Sequence, residues 1–74
     1  MTIKHLQVNN LIRVANAGGG LRLDALAFSV DNLLRIANAA SSKQARIVIE
    51  NSSALSADNM IRIGNAGKGA VLFE

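Results

Sequence analysis

Apolar residues recur at helical spacing in three similar stretches of the chain, "NNLIRVANA" at 9–17, "DNLLRIANA" at 31–39 and "DNMIRIGNA" at 58–66. Around the middle stretch, a rotation of about 100° per residue separates an apolar face from a polar face. The polar face carries Asp31, Asn32, Arg35 and Asn38. The apolar face carries Val30, Leu33, Leu34, Ile36, Ala37 and Ala40. The pattern predicts three amphipathic helices of related sequence, each with its Arg and Asn side chains toward solvent.

Serine residues mark where the second and third helices are expected to begin. The side-chain oxygens of Ser29 and Ser56 can accept hydrogen bonds from free backbone N–H groups of the first turn, whereas Gln7 is a poorer cap for the first helix. An apolar residue before each cap can pack against the fourth helical residue. These pairs are Leu6 with Leu11, Phe28 with Leu33, and Leu55 with Met60.

Glycine is expected to end the first and third helices. "NAGGG" and "NAGKG" follow these helices, and Gly adopts the left-handed conformation of a helix end at little cost. The second helix runs into "NAASS", which predicts a softer end. Within the helices, Asp31 and Asp58 precede Arg35 and Arg62 by four residues, the favourable order for an ion pair.

Short segments with alternating or β-branched residues follow the helices, and they predict strands at 21–26, 45–50 and 70–74. Strands joined through helices should be parallel, with right-handed crossovers. The residues expected beneath the helices are Leu21, Leu23, Ile47, Ile49, Ala70 and Leu72. The residues expected on the opposite face are Arg22, Asp24, Arg46, Val48, Glu50, Val71 and Phe73.

These elements predict an α/β fold made of three helix–strand repeats, with a parallel sheet on one side and helices on the other. The chain 1–74 is interpreted as a single domain, with units at about 5–26, 27–50 and 54–74. Each unit is too small to bury its own apolar face, so the units are expected to stack.

The segment "ARIVIENSSALSADNMIRIGNAGKGAVLF" resembles the leucine-rich repeat family, in particular the ribonuclease-inhibitor type with a helix on its convex side. The resemblance rests on the order of strand, turn, helix and next strand, at 22 to 27 residues per unit. It implies a small solenoid that presents its sheet face to a protein partner.

The last strand, "AVLFE", predicts self-association. An apolar strand with an open edge can pair with another chain, and Val71 and Phe73 are expected on the face opposite Leu72. We therefore expect a homodimer or larger assembly that completes the fold, with Val48, Val71, Leu72 and Phe73 as its contact residues.

Composition sharpens this expectation. A chain of 74 residues without Cys has neither a disulfide nor a large core, so it depends on dense packing or self-association. No apolar run approaches the roughly 18 residues that span a bilayer. The segment "MTIKHLQVNN" has no signal-peptide core, so the sequence predicts a cytoplasmic protein without a membrane partner.

Catalysis is not expected. His5 is the single histidine, and no cluster of Cys or His has the spacing of metal ligands. Asp24 and Glu50 on neighbouring strands are interpreted as a cross-strand charge pattern with Arg22 and Arg46. "GNAG" and "GGG" could cradle a phosphate group, but they also fit the ends of the repeated helices. The sequence predicts no enzyme, cofactor or metal site.

Nucleic-acid binding is the alternative function. Stacked helices would bring Arg13, Arg35 and Arg62 into a column, with Lys68 nearby, and the chain has a net charge of +3. Neutralised phosphates release counterions and so favour binding. The chain has no Trp or Tyr and two Phe for base stacking, which makes this function less favoured than protein association.

Overall fold

The computed structural model describes residues 8–74 as a small α/β fold with three helices and a three-stranded parallel sheet. In chain order the elements are α1 (Val8–Asn16), β1 (Leu21–Asp24), α2 (Val30–Ser41), β2 (Ile47–Glu50), a 3₁₀ turn (Ser52–Ala54), α3 (Ala57–Ala66) and β3 (Val71–Phe73). The predicted α/β class and parallel sheet are confirmed. The predictions for His5, Leu6 and Gln7 lie outside the described residues.

Side-chain caps begin α2 and α3 as predicted. The Ser29 hydroxyl accepts a hydrogen bond from the Asn32 backbone N–H, and the Ser56 hydroxyl accepts one from that of Asn59, both at 3.2 Å. Phe28 and Leu55, the residues before the caps, pack against the core. The two helices are thus fixed at their start by the same local interactions.

The helix ends differ in their left-handed residues. Gly18, after α1, has a φ of 91°, and Gln44, after α2, has a φ of 53°, so a left-handed residue also follows the helix for which "NAASS" predicted a softer end. After α3, Gly67 stays right-handed with a φ of −86°, and the left-handed residues are Lys68 and Gly69, with φ of 53° and 86°. The third helix therefore ends in a turn that places a lysine in a conformation better suited to glycine.

Replacing Lys68 by Gly is expected to stabilise the fold by about 0.5–1 kcal/mol, because the left-handed conformation strains a residue with a Cβ. Lys43 occupies the corresponding turn before β2 and does not have a positive φ. Lys43→Gly removes the same charge without relieving strain, so it is the matched control. Urea denaturation should show stabilisation for Lys68→Gly alone; equal shifts would contradict the backbone explanation.

The sheet has the order β1-β2-β3, with every pair parallel. One row of its inner face is formed by Leu21, Ile47 and Val71, and the next by Leu23, Ile49 and Phe73. These side chains form one core with the helices, whose fully buried large residues are Leu11, Leu33, Ile36 and Ile63. The helices therefore cover the inner face.

The predicted orientation of β3 is wrong. Val71 and Phe73 pack against the core, whereas Leu72 lies opposite Val48 on the outer face and is 48% exposed. The cause is the connection: Leu21 comes ten residues after Leu11, but Val71 comes eleven after Met60. One extra residue moves every strand side chain to the other face, and this register buries Val and Phe in place of Ala and Leu.

The two predicted ion pairs within helices do not form. Among the described residues, the ion pairs join Arg22 to Glu50 and Glu74, and none joins Asp31 to Arg35 or Asp58 to Arg62. The Arg62 guanidinium instead donates a hydrogen bond to the Asn59 side chain, at 3.3 Å. The repeated polar side chains are therefore not held by these charge pairs.

Candidate self-association surface

A charged network crosses the outer face of the sheet. The Arg22 guanidinium on β1 donates hydrogen bonds to the Glu50 carboxylate at 2.8 Å and to the Glu74 carboxylate at 2.9 Å. These bonds, first that to Glu74 and then that to Glu50, raise the pKa of Arg22 above its ordinary value. The cross-strand charge pattern is thus centred on Arg22, and it ties the first strand to the last residue of the chain.

Asp24 sits beside this network and is 7% exposed. One of its carboxylate oxygens accepts a hydrogen bond from the Leu26 backbone N–H at 2.9 Å and another from the Asn51 side-chain amide at 3.0 Å. Asn51 itself is left-handed, with a φ of 57°, a conformation that Asn tolerates well. Asp24 therefore fixes the turns that follow β1 and β2 and has a structural use.

The four residues predicted for self-association fall into three environments. Val48 lies at the middle of the outer face and is 9% exposed, so it offers little surface. Val71 and Phe73 pack inward. Only Leu72, 48% exposed, presents a large apolar side chain to solvent.

Large exposed apolar side chains are few in the part of the chain that the structure describes. They are Val14, Leu26, Ile61 and Leu72, with exposed fractions of 42%, 71%, 61% and 48%. Leu26 lies in the turn after β1, whereas Ile61 and Leu72 lie on the last helix and the last strand. Two of the four therefore belong to the α3–β3 end of the molecule.

Aligned positions in the three similar stretches show why α3 is exposed. Positions are counted from the first residue of each stretch, at 9, 31 and 58. In the first two helices the third, fourth and seventh positions are buried or half-buried. They are Leu11, Ile12, Ala15, Leu33, Leu34 and Ala37. On α3 the fourth position, Ile61, is 61% exposed. Met60 and Gly64, at the third and seventh positions, are half-buried, and a Cβ on Gly64 would meet no atom within 4 Å. We call Met60, Ile61 and Gly64 the α3 face.

The sixth and ninth positions show the opposite trend. Ile36 and Ile63 are fully buried at the sixth position, but Val14 on α1 is 42% exposed. Ala39 and Ala66 are half-buried at the ninth position, but Ala17 is exposed. Asn10, Val14 and Ala17, together with Arg13, line a shallow concavity on α1. We call Asn10, Val14 and Ala17 the α1 face.

Sequence reasoning missed Val14 and Ile61. Both are apolar at positions whose counterparts face the core, so an amphipathic pattern alone assigns them to the interior. The distinguishing property is their place in the helix layer: α1 contacts α2, and α2 contacts α3. Only the middle helix has a neighbour on each side among the described helices, and it is the one that buries both sets of positions.

The cationic residues proposed for nucleic acid all lie at the surface. Arg13, Arg35 and Arg62 are exposed at the same aligned position of the three helices, and Lys68 is exposed in the turn after α3. Within residues 8–74 none of the four forms an ion pair. The three arginines thus lie on neighbouring helices.

The described residues contain neither a metal-binding cluster nor a membrane-spanning helix. No group of three or more His, Cys, Asp or Glu side chains there could hold a metal ion. None of the helices in 8–74 has the length and apolar character needed to cross a bilayer.

Comparison with known proteins gives no relative for this chain: no family model, curated protein or solved structure matches it. Its function must therefore be argued from the geometry of its own residues.

Proposed function

We propose that this protein is a non-enzymatic module that self-associates and acts by binding protein. The observation that carries the proposal is the exposure of Ile61 and Leu72 on the last helix and strand, at 61% and 48%. Exposed apolar surface is typical of interaction sites when it is extensive, and α3 and β3 each contribute a large exposed apolar side chain to it. Association would remove both side chains from water at one end of the molecule.

Two further features support association through this end. In the sheet formed by the described residues, β3 is an edge strand, and an apolar edge strand invites pairing with another chain. A chain of 74 residues with no Cys also gains proportionally more from an added interface than a large domain does. The proposed assembly is a homodimer or a larger homo-oligomer.

Leu72→Asp is expected to weaken self-association at least tenfold, since a carboxylate at an apolar interface must be desolvated without a partner. Leu26→Asp is the matched control, because Leu26 is the most exposed large apolar residue within 8–74 and lies in the turn after β1, away from α3 and β3. Sedimentation velocity over a range of concentrations measures both. Association unchanged by Leu72→Asp, or weakened equally by both substitutions, would contradict the proposed surface.

The leucine-rich-repeat-like arrangement is part of the proposal. Its support is the order of elements: consecutive strands are neighbours in the sheet, and consecutive helices are neighbours in the layer above. In a stacked repeat each unit contacts mainly the units before and after it. An interaction module of this kind would lengthen its stack or bind a partner at an end.

Nucleic-acid binding is the second candidate, favoured by the exposed arginines on three neighbouring helices. If it operates, duplex or single-stranded binding should fall as salt rises, because released counterions drive it. Changing Arg13, Arg35 and Arg62 to Ala should then reduce both the affinity and its salt dependence. Fluorescence anisotropy at two salt concentrations tests this, and an absence of binding at low salt would dispose of this candidate.

A further inference from the structure

The α3 face and the α1 face correspond to the two sides of the contact between α2 and α3. On α2, the side that meets α3 contains Ala37, because a Cβ on Gly67, directly after α3, would lie 3.6 Å from the Ala37 Cβ. Gly64 occupies the position aligned with Ala37, and Val14 and Ala17 of the α1 face occupy those aligned with Ile63 and Ala66 of α3. The α3 face therefore corresponds to the side of α2 that packs against α3, but no described helix covers it. In the same way, the α1 face corresponds to the side of α3 that packs against α2.

Burial along the layer supports this correspondence. The fourth aligned position changes from half-buried Ile12 and Leu34 to Ile61 at 61% exposed. The sixth changes in the other direction, from Val14 at 42% exposed to Ile36 and Ile63 at 0%. Each position is buried where a neighbouring helix is present on the relevant side and exposed where the described residues supply none.

We infer that copies of this chain associate head to tail, with the α3 face of one copy packing against the α1 face of the next. The inference rests on the proposed self-association and specifies its geometry. The contact would repeat the packing of α2 on α3, so its occupant is a second copy and needs no other partner. Such an interface is heterologous, and it grows into a ring or an open filament unless an end is blocked.

Small residues and charges are compatible with this contact. Gly64 has no atom within 4 Å of the place of a Cβ, which leaves room for close approach of the α1 face of the next copy. Arg13 of that copy would lie on the helix next to that of Arg62, as the exposed Arg35 and Arg62 lie on neighbouring helices of one chain. The interface therefore introduces no charge arrangement that the chain does not already tolerate.

A mixing experiment separates this geometry from every symmetric one. Ile61→Asp spoils the α3 face and leaves the α1 face intact, and Val14→Asp does the reverse. In a head-to-tail contact each variant alone should remain at the monomer mass of 7.8 kDa. In an equimolar mixture, the intact α3 face of the Val14→Asp variant can pack against the intact α1 face of the Ile61→Asp variant. The mixture should therefore form a dimer of twice that mass, and the two substituted faces should prevent further growth.

Controls identify each outcome. Leu26→Asp should assemble as the unchanged chain does, and the double variant Val14→Asp/Ile61→Asp should stay monomeric with itself. Circular dichroism checks that each variant folds. If Val14→Asp fails to fold, Ala17→Arg replaces it, because Ala17 is exposed on the same face.

Size-exclusion chromatography with light scattering gives the result. A dimer in the mixture and monomers in the separate variants support the head-to-tail contact. If the unchanged chain associates but mixing restores nothing, or if one single variant still assembles, the head-to-tail geometry is overturned while self-association stands. A monomeric unchanged chain overturns both.

Discussion

Phe73→Asp is expected to abolish cooperative folding, whereas Leu72→Asp, one residue earlier, is expected to leave the fold intact. Phe73 packs inward beside Ile49, so an aspartate there places a charge against the apolar core. Such a change costs roughly 3 kcal/mol or more. A chain this small has little stability to lose, since native proteins are stable by only about 5–15 kcal/mol in total.

Far-UV and thermal circular dichroism of the two variants measure this prediction. Phe73→Asp should show no cooperative thermal transition, and Leu72→Asp should keep a transition near that of the unchanged chain at low concentration. The opposite result would return β3 to the register in which Ala70 and Leu72 face the helices. The pair therefore tests the orientation of the last strand independently of any association.

Gly67→Ala is expected to destabilise the fold by about 1–3 kcal/mol, the usual cost of overpacking. A Cβ at this position would lie 2.5 Å from the Val71 Cγ2 and 3.6 Å from the Ala37 Cβ. Val71 cannot easily turn away, because a β-branched side chain has restricted rotamers and because Val71 packs against the core. Gly67 is therefore required for close packing of α3 on α2 and β3.

Gly64→Ala is the matched control and should have the opposite sign. Gly64 lies within α3, and a Cβ there would meet no atom within 4 Å. Alanine in a helix interior is favoured over glycine by up to about 1 kcal/mol. For a chain of this size about 1 kcal/mol corresponds to a shift of roughly 4–8 °C in Tm.

Differential scanning calorimetry of both variants at equal, low concentration resolves the two signs. Low concentration matters because association adds to the apparent stability. A Tm lowered for Gly67→Ala and raised for Gly64→Ala is the expected outcome. If Gly67→Ala is neutral, the packing of α3 against Val71 is looser than described.

Local signals in the sequence were sufficient to predict much of the fold. Ser29 and Ser56 act as caps through their own side chains, so their role does not depend on distant residues. The strands and their parallel order follow from alternating apolar residues and from the helices between them. These features depend on residues that are close together in the sequence.

The orientation of β3 depends on a turn that the pattern does not describe. Val71 and Leu72 are both apolar, so the alternation of apolar and polar residues gives no register. The register depends on the length of the connection from α3 to β3, in which Lys68 and Gly69 are left-handed. The free energy gained by burying Val71 and Phe73 favours the same register, and this gain depends on contacts that form only when the chain has folded.

The exposed faces depend on position in the helix layer. Ile61 and Ile36 look equally apolar in the sequence, but among the described helices α2, which carries Ile36, has a neighbour on both sides, whereas α3, which carries Ile61, has one neighbour. The difference lies in the burial of the aligned positions, which is a property of the folded chain. Leu72, by contrast, was among the residues predicted from the sequence.

The central claim, that this chain acts by association with itself, is tested most directly by its mass in solution. Size-exclusion chromatography with light scattering should give a mass above the 7.8 kDa of one chain, and the mass should rise with concentration in the micromolar range. A constant 7.8 kDa across that range would contradict the claim.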